Sequence, residues 1–412
     1  MKPLHSHSIL TSPPTLLFLT LLLMLLSPQV SNADPGDVYS ADGTKYDMLK
    51  SDVPKYEVPK PDVAKSDVLK SDVLKTNTPK EWAIALHGGA GYVSPDMPEA
   101  RRVAYEEALQ EALAIGSEIL EEGGSSLDAV EATVRFLEDH ELFNAGKGAV
   151  FTAEGRNELD AAIMDGHTMQ AGAVTGVTTV KNPVTLARRV MTNSRHVFFS
   201  GDGAEAFADG TDVERVDPSY FYTESRFEAL RRVQEAERDS SPGDDSDEKG
   251  GSGAEVEPGA EPDASHDSQE SSNESLRGWK YGTVGAVAKD REGRLASATS
   301  TGGMTNKRFG RVGDVPIIGS GTYANKDVAV SATGWGEKIM LHVSAHTLAS
   351  HYRFTGASLQ ESMDYLVDEV LEPGDAGFIA VDRTGAVSMK TNTGSMFRAA
   401  ADSEGLREVA IW

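Results

Sequence analysis

From Trp82 onward, short apolar runs alternate with stretches of helical period, and glycines mark the joints. Trp82-Ala83-Ile84-Ala85-Leu86-His87 has the length and composition of a buried strand and ends in Gly88-Gly89-Ala90-Gly91. Residues 103–120 place Ala104, Ala108, Ala112, Ile115 and Ile119 on one helical face and stop at Gly123-Gly124. Ser125 to Asp128 has the spacing of a capping box, with Asp in the Glu position, before a second helix through Leu137. Short glycine-punctuated segments follow to about residue 180. Residues 183–191 predict another helix, with Asn182 as its cap and Pro183 in the first turn. Residues 227–237 predict a charged one.

The apolar pattern resumes at Tyr281. Two hairpins are predicted, over 284–298 with a turn at 290–293 and over 378–389 with a turn at 382–385. Between them lie predicted helices from Gly336 into His351 and from Leu359 to Leu371. Two blocks of mixed strands and helices therefore flank residues 239–276. That stretch is Ser, Gly, Pro and acid, with about a dozen carboxylates against one lysine. It lacks the apolar surface to order itself. Two separate domains, or two halves sharing one mixed core, both satisfy this pattern.

The first 81 residues read differently. Lys2 precedes an apolar run over 16–26, broken only by Thr20, and Ser31-Asn32-Ala33 supplies the small residues a signal peptidase reads. The run is about eleven residues, short for a bilayer span. A signal peptide over 1–33 and a secreted or periplasmic protein starting near Asp34 follow; an uncleaved anchor is the other reading. Over 34–81 lysine recurs every fifth position from Lys45 to Lys80, as in Asp67-Val68-Leu69-Lys70. A period of five builds no continuous apolar face, so this is expected to be an extended spacer.

The 412-residue chain has no Cys, which excludes disulfides and thiolate metal sites. Its formal charge of −25 argues against nucleic acid or anionic membrane as a partner. The candidate chemistry sits at Gly282-Thr283-Val284, where the acidic tether meets a strand. If the peptide bond before Thr283 breaks, that residue carries both a nucleophilic hydroxyl and an α-amine base. The amine titrates near pH 8, well below lysine, so far more of it is neutral at pH 7 than of a lysine amine. Gly282 tolerates the backbone angles such a cut needs. Downstream, Ala298-Thr299-Ser300-Thr301-Gly302-Gly303, Gly310-Arg311-Val312-Gly313-Asp314 and Ser331-Ala332-Thr333-Gly334-Trp335-Gly336-Glu337 concentrate hydroxyls and glycines. Arg311 and Asp314 suit the α-carboxylate and α-ammonium of an amino acid; from spacing alone a surface ion pair is the other option.

His87-Gly88-Gly89-Ala90-Gly91, Phe143-Asn144-Ala145-Gly146-Lys147-Gly148, Glu158-Leu159-Asp160-Ala161-Ala162-Ile163-Met164-Asp165-Gly166 and the segments from Thr283 on resemble the plant-type L-asparaginase/isoaspartyl peptidase family. These are threonine N-terminal-nucleophile hydrolases, and the likeness covers about residues 82–235 and 278–400 in order. It implies an α+β fold, a four-layer αββα sandwich, self-cleaved at Gly282–Thr283 into an α subunit (82–282) and a β subunit (283–412).

The resemblance implies roles for particular residues. Thr283 would be the nucleophile, oriented by Thr301, with Thr333 assisting. Thr333 and the Gly334 N–H would form the oxyanion hole. Arg311 and Asp314 would clamp the aspartyl group, with Gly336 lining the pocket, and Asn144 would arrange the scissile region. Carbonyls of Leu137, Glu138, His140, Phe143, Ala145 and Lys147 correspond to a loop that holds structural sodium; no other cofactor is implied. Substrates would be L-asparagine and β-aspartyl dipeptides, and the assembly a dimer of αβ units. Glycosylasparaginase is the near alternative, but that branch has Asp where Gly282 stands. A non-catalytic binding protein of the same fold leaves the retained Thr283, Thr301, Arg311, Asp314 and Thr333 without a purpose.

Overall fold

The computed structural model describes residues 79–240 and 282–412. The expected signal peptide, nearly all of the pentad spacer and the acidic tether from residue 241 lie outside the described residues. In chain order the first block holds β1 (Ala83–Gly91), α1 (Glu99–Glu121), α2 (Ser126–Asp139), β2 (Leu159–Asp165), β3 (Gln170–Val177), α3 (Pro183–Asn193), β4 (Phe198–Ser200), α4 (Gly201–Ala208) and α5 (Glu224–Ser240). The second holds β5 (Val284–Lys289), β6 (Leu295–Thr301), β7 (Thr322–Ala324), β8 (Val328–Gly334), α6 (Gly336–Leu341), α7 (Ser344–Thr355), α8 (Leu359–Asp364), β9 (Ala376–Asp382), β10 (Val387–Thr391), β11 (Ser395–Asp402) and β12 (Arg407–Ala410).

The strands form an eight-stranded sheet in the order β12-β11-β1-β5-β6-β2-β3-β4 and a four-stranded sheet in the order β10-β9-β8-β7. Alternation along β1 shows how they stack. Ile84 and Leu86 point into one core with residues of α1, α2 and α3. Ala83 and Ala85 point the other way, into a second core with Val287, Leu295, Ile379 and Val381 between the sheets. A third core packs Val328, Val330 and Phe378 of the small sheet against Leu348, Leu359 and Met363 of α7 and α8. The layers are therefore helix, sheet, sheet, helix, as the αββα expectation requires.

The two-domain option fails on strand pairing. Ala83 of β1 lies opposite Asp402 on one side and Lys289 on the other, so a strand of the first block sits between two of the second. Backbone groups of one block satisfy those of the other, and neither completes the sheet alone.

Both predicted hairpins form, with their turns in place. The helices differ in detail. The stretch from Gly336 to His351 is two helices, because Val343 adopts a left-handed backbone (φ 46°) between them. The helix predicted over 359–371 starts at a true capping box, Ser358 with Glu361, then widens into a π turn over Tyr365–Val370. α5 runs through Ser240, past the expected start of the tether at 239. Asn182 occupies the cap position of α3, but its amide donates to Asp139 and to the Arg135 carbonyl. The Val184 N–H at that helix start is satisfied by the buried Glu138 carboxyl instead, at 3.0 Å.

Candidate active site

β5 is central in the large sheet, and Thr283 immediately precedes it. Thr283 is buried there, at the head of a strand whose ladder begins at Val284 opposite Ser300. Three donors meet on the Gly282 carbonyl oxygen just ahead of Thr283. Asn144 Nδ2 donates at 2.8 Å, Thr283 Oγ1 at 2.8 Å and Thr301 Oγ1 at 3.1 Å. Thr301 Oγ1 in turn accepts from the Gly303 N–H at 2.9 Å and lies 3.2 Å from Thr283 Oγ1. Asn144 is itself fixed: its Oδ1 accepts from the Val150 N–H, and its Nδ2 also donates to the Gly303 carbonyl, at 2.8 Å. Asn144 is thereby held in place to polarise this carbonyl. Gly89 lets β1 come this close, since a Cβ there would lie 3.2 Å from Gly282 Cα. A cavity of about 390 Å³, lined among others by Tyr105, Asn144, Arg226, Gly282 and Phe397, opens beside the bond.

Arg311 and Asp314, the residues expected to meet the two α-groups of an amino acid, sit in different surroundings. Asp314 is buried, which rejects the surface ion pair, and burial pushes its carboxyl up to about 7. Its Oδ2 has no hydrogen-bond partner. Arg311 does not grip Asp314. Its Nε and Nη2 both bond Glu337, each at 2.8 Å, in a bidentate pair. The two still share a pocket wall, because a Cβ on Gly336 would sit 2.8 Å from Arg311 Nη2 and 2.9 Å from Asp314 Oδ1. A side chain there would displace the Arg311 guanidinium or the Asp314 carboxyl.

Thr333 and Gly334 are not among the donors to the Gly282 oxygen. Thr333 Oγ1 accepts from the Ala90 N–H at 3.1 Å, and Gly334 turns the chain at φ 138° where β8 ends. The expected oxyanion hole is thus separate from the group of donors around the intact bond. Glu337 had no role in the sequence reading. Its only signal was its place in the Thr333–Glu337 segment.

The carbonyl loop after α2 is compact. A Cβ on Gly146 would lie 2.3 Å from the Glu138 carbonyl, and one on Gly148 would lie 2.1 Å from that of Phe143. Carbonyls of Leu137, His140, Phe143 and Ala145 each accept a backbone N–H within the loop. A loop that crowds carbonyls around glycines fits a hard cation bound by oxygen.

A two-sheet sandwich between helix layers, with a threonine at the head of a central strand, is the frame of an N-terminal-nucleophile hydrolase. The chain belongs to the asparaginase family, whose model matches residues 80–411. An isoaspartyl peptidase of Escherichia coli (strain K12) is 44% identical over 320 residues, covering 77% of this chain and 91% of that protein. A plant-type L-asparaginase of Pyrococcus furiosus is 39% identical over 342 residues, covering 79% and 98%. An isoaspartyl peptidase/L-asparaginase of Danio rerio is 36% identical over 321 residues, covering 77% and 91%.

Proposed function

We propose that this chain cleaves itself at Gly282–Thr283 and then hydrolyses β-aspartyl dipeptides and L-asparagine, releasing aspartate. The names of its relatives support the substrate class. The observation that carries the self-cleavage is the Gly282 carbonyl held by Asn144 and Thr301 beside the Thr283 hydroxyl. Thr283 Oγ1 attacks the Gly282 carbon, and the oxyanion is stabilised by the Asn144 and Thr301 donors. The C–N bond breaks, its nitrogen takes up the proton the Thr283 hydroxyl gave up and becomes the α-amine, and an ester joins Gly282 to Oγ1. Water then hydrolyses the ester to a Gly282 carboxylate and a free Thr283 hydroxyl.

In turnover the α-amine serves as base and Thr283 Oγ1 attacks the side-chain carbonyl of the substrate. Ammonia or an amino acid leaves, and water releases aspartate from the β-aspartyl ester. Arg311, held by Glu337, takes the α-carboxylate; Asp314, with its unpartnered oxygen, takes the α-ammonium. Thr333 and the Gly334 N–H hold the oxyanion of this second reaction. The carbonyls of the loop at 137–147 would hold a sodium ion that stiffens the segment carrying Asn144. Export to a periplasm or the exterior is supported by the leader over 1–33. A dimer of αβ units is proposed from the family resemblance.

Denaturing electrophoresis of purified protein should give two fragments, the smaller starting at Thr283. Thr283→Ala should stay as a single band, and ammonia release from asparagine should fall roughly 10⁴-fold or more. A persistently intact wild type, or an active Thr283→Ala enzyme, would reject the proposal.

A further inference from the structure

We propose that His87, backed by Ser331 and Thr299, is a positioning residue that holds the main chain of Thr283 through a one-way chain of hydrogen bonds; this rests on Thr283 being the nucleophile. His87 lies in β1 and is fully buried. Its Nδ1 is 2.9 Å from the Thr283 carbonyl oxygen, and its Nε2 is 2.9 Å from Ser331 Oγ. Ser331 Oγ is 2.8 Å from Thr299 Oγ1.

Proton counting fixes every direction. A carbonyl only accepts, so Nδ1 carries the hydrogen. Burial drives the imidazole down to about 4, so the ring is neutral at neutral pH and Nε2 has a lone pair. Ser331 must spend its single proton on Nε2. Its oxygen then accepts from Thr299, whose only other acceptor, the Gly321 carbonyl, is 3.4 Å away. The chain runs from Thr299 to Ser331 to His87 to the Thr283 carbonyl. Reversing the Thr299–Ser331 bond would leave the Nε2 lone pair without a donor, and an Nε2–H tautomer would leave Nδ1 without a hydrogen against a carbonyl.

The position of this bond gives it a function. The β1–β5 ladder ends at His87 opposite Gly285, two residues short of Thr283. Beyond that point the His87 side chain supplies the hydrogen bond that the ladder no longer does. In a cut chain Thr283 has no preceding peptide to hold it. What remains is its side-chain contact with Thr301 and this grip on its carbonyl. The carbonyl torsion sets where the α-amine and Oγ1 point. Space for the chain is reserved: a Cβ on Gly285 would lie 2.1 Å from Ser331 Oγ and 2.5 Å from His87 Nε2.

The test uses the self-cleaved enzyme, with turnover counted per cleaved chain. His87→Phe fills the space without a donor. Its kcat should fall on the order of 10²-fold, as for a misplaced reacting group, while KM stays within about twofold because Arg311 and Asp314 are untouched. His87→Asn puts an amide N–H near the Nδ1 site and should recover most of kcat; His87→Gln, which reaches toward Nε2, should not. Thermal melts identify variants that fail to fold. Should His87→Phe be one of them, ¹⁵N resonances of the wild-type imidazole at pH 7.5 still decide, and they should show the Nδ1–H tautomer. An Nε2–H tautomer, or a folded His87→Phe enzyme with wild-type kcat, overturns the positioning role. Thr283→Ala runs alongside: activity there defeats the nucleophile reading itself, whereas activity only in His87→Phe defeats the positioning role alone.

Discussion

Arg311 and Asp314 are three positions apart, yet the fold gives them different tasks. Arg311 has two of its nitrogens committed to Glu337, which fixes the plane of the guanidinium and leaves Nη1 facing Gly303 and Gly313. Glu337→Ala should loosen that plane and raise KM about tenfold, a 1.4 kcal/mol effect, with kcat little changed. Steady-state kinetics on asparagine checks the split; an unchanged KM would remove Glu337 from the clamp. Asp314 titrates near 7 because it is buried. In the proposed role its charged form receives an ammonium group, so kcat/KM should fall as pH drops below about 7 in the free enzyme. A profile flat from pH 8 to 5.5 would contradict this. Thr283, Arg311 and Asp314 stand out in the sequence through their residue types and spacing, and Asn144 through the family resemblance. Glu337 and His87 were not, since their roles depend on contacts: the Thr283 carbonyl that His87 holds is 196 positions away in sequence.

At the level of elements, α2 and α3 are joined through a buried acid. The Glu138 side chain accepts the Val184 N–H, and burial pushes its carboxyl up to about 8 from 4.5. Between those values the folded chain keeps a proton that the unfolded chain has lost. The stabilising contribution is therefore full below about 4.5 and is lost as pH rises through about 8. Glu138→Gln keeps an acceptor for Val184 and cannot ionise. Its Tm should decline less than that of the wild type between pH 6 and 9, and equal slopes would refute the assignment. Sequence periodicity found both helices but credited Asn182 with the cap of α3. A side chain from a neighbouring helix can satisfy a helix start as well as a local one, and no local pattern reports it. The break at Val343 escaped for a similar reason: apolar spacing continues across it while the backbone turns left-handed.

The described residues from 79 on form one interleaved body despite the proposed cut. β1 is paired with β5 and β11, and the core between the sheets draws on both blocks. Fragments ending at Gly282 and starting at Thr283 should co-elute in size exclusion and unfold in one cooperative transition. Separation under native conditions, or two transitions, would show that the blocks are independent. The sequence by itself determined the ordered motifs, the helix and hairpin positions, and a threonine placed where a strand begins. These rest on local spacing and on residue chemistry, which a chain carries without being folded. Tertiary structure alone decided which strands of the two blocks lie side by side, that Arg311 pairs with Glu337, and that His87 reaches the Thr283 carbonyl. Hydrogen bonds act over about 3 Å, and only the fold brings distant parts of the chain within that range.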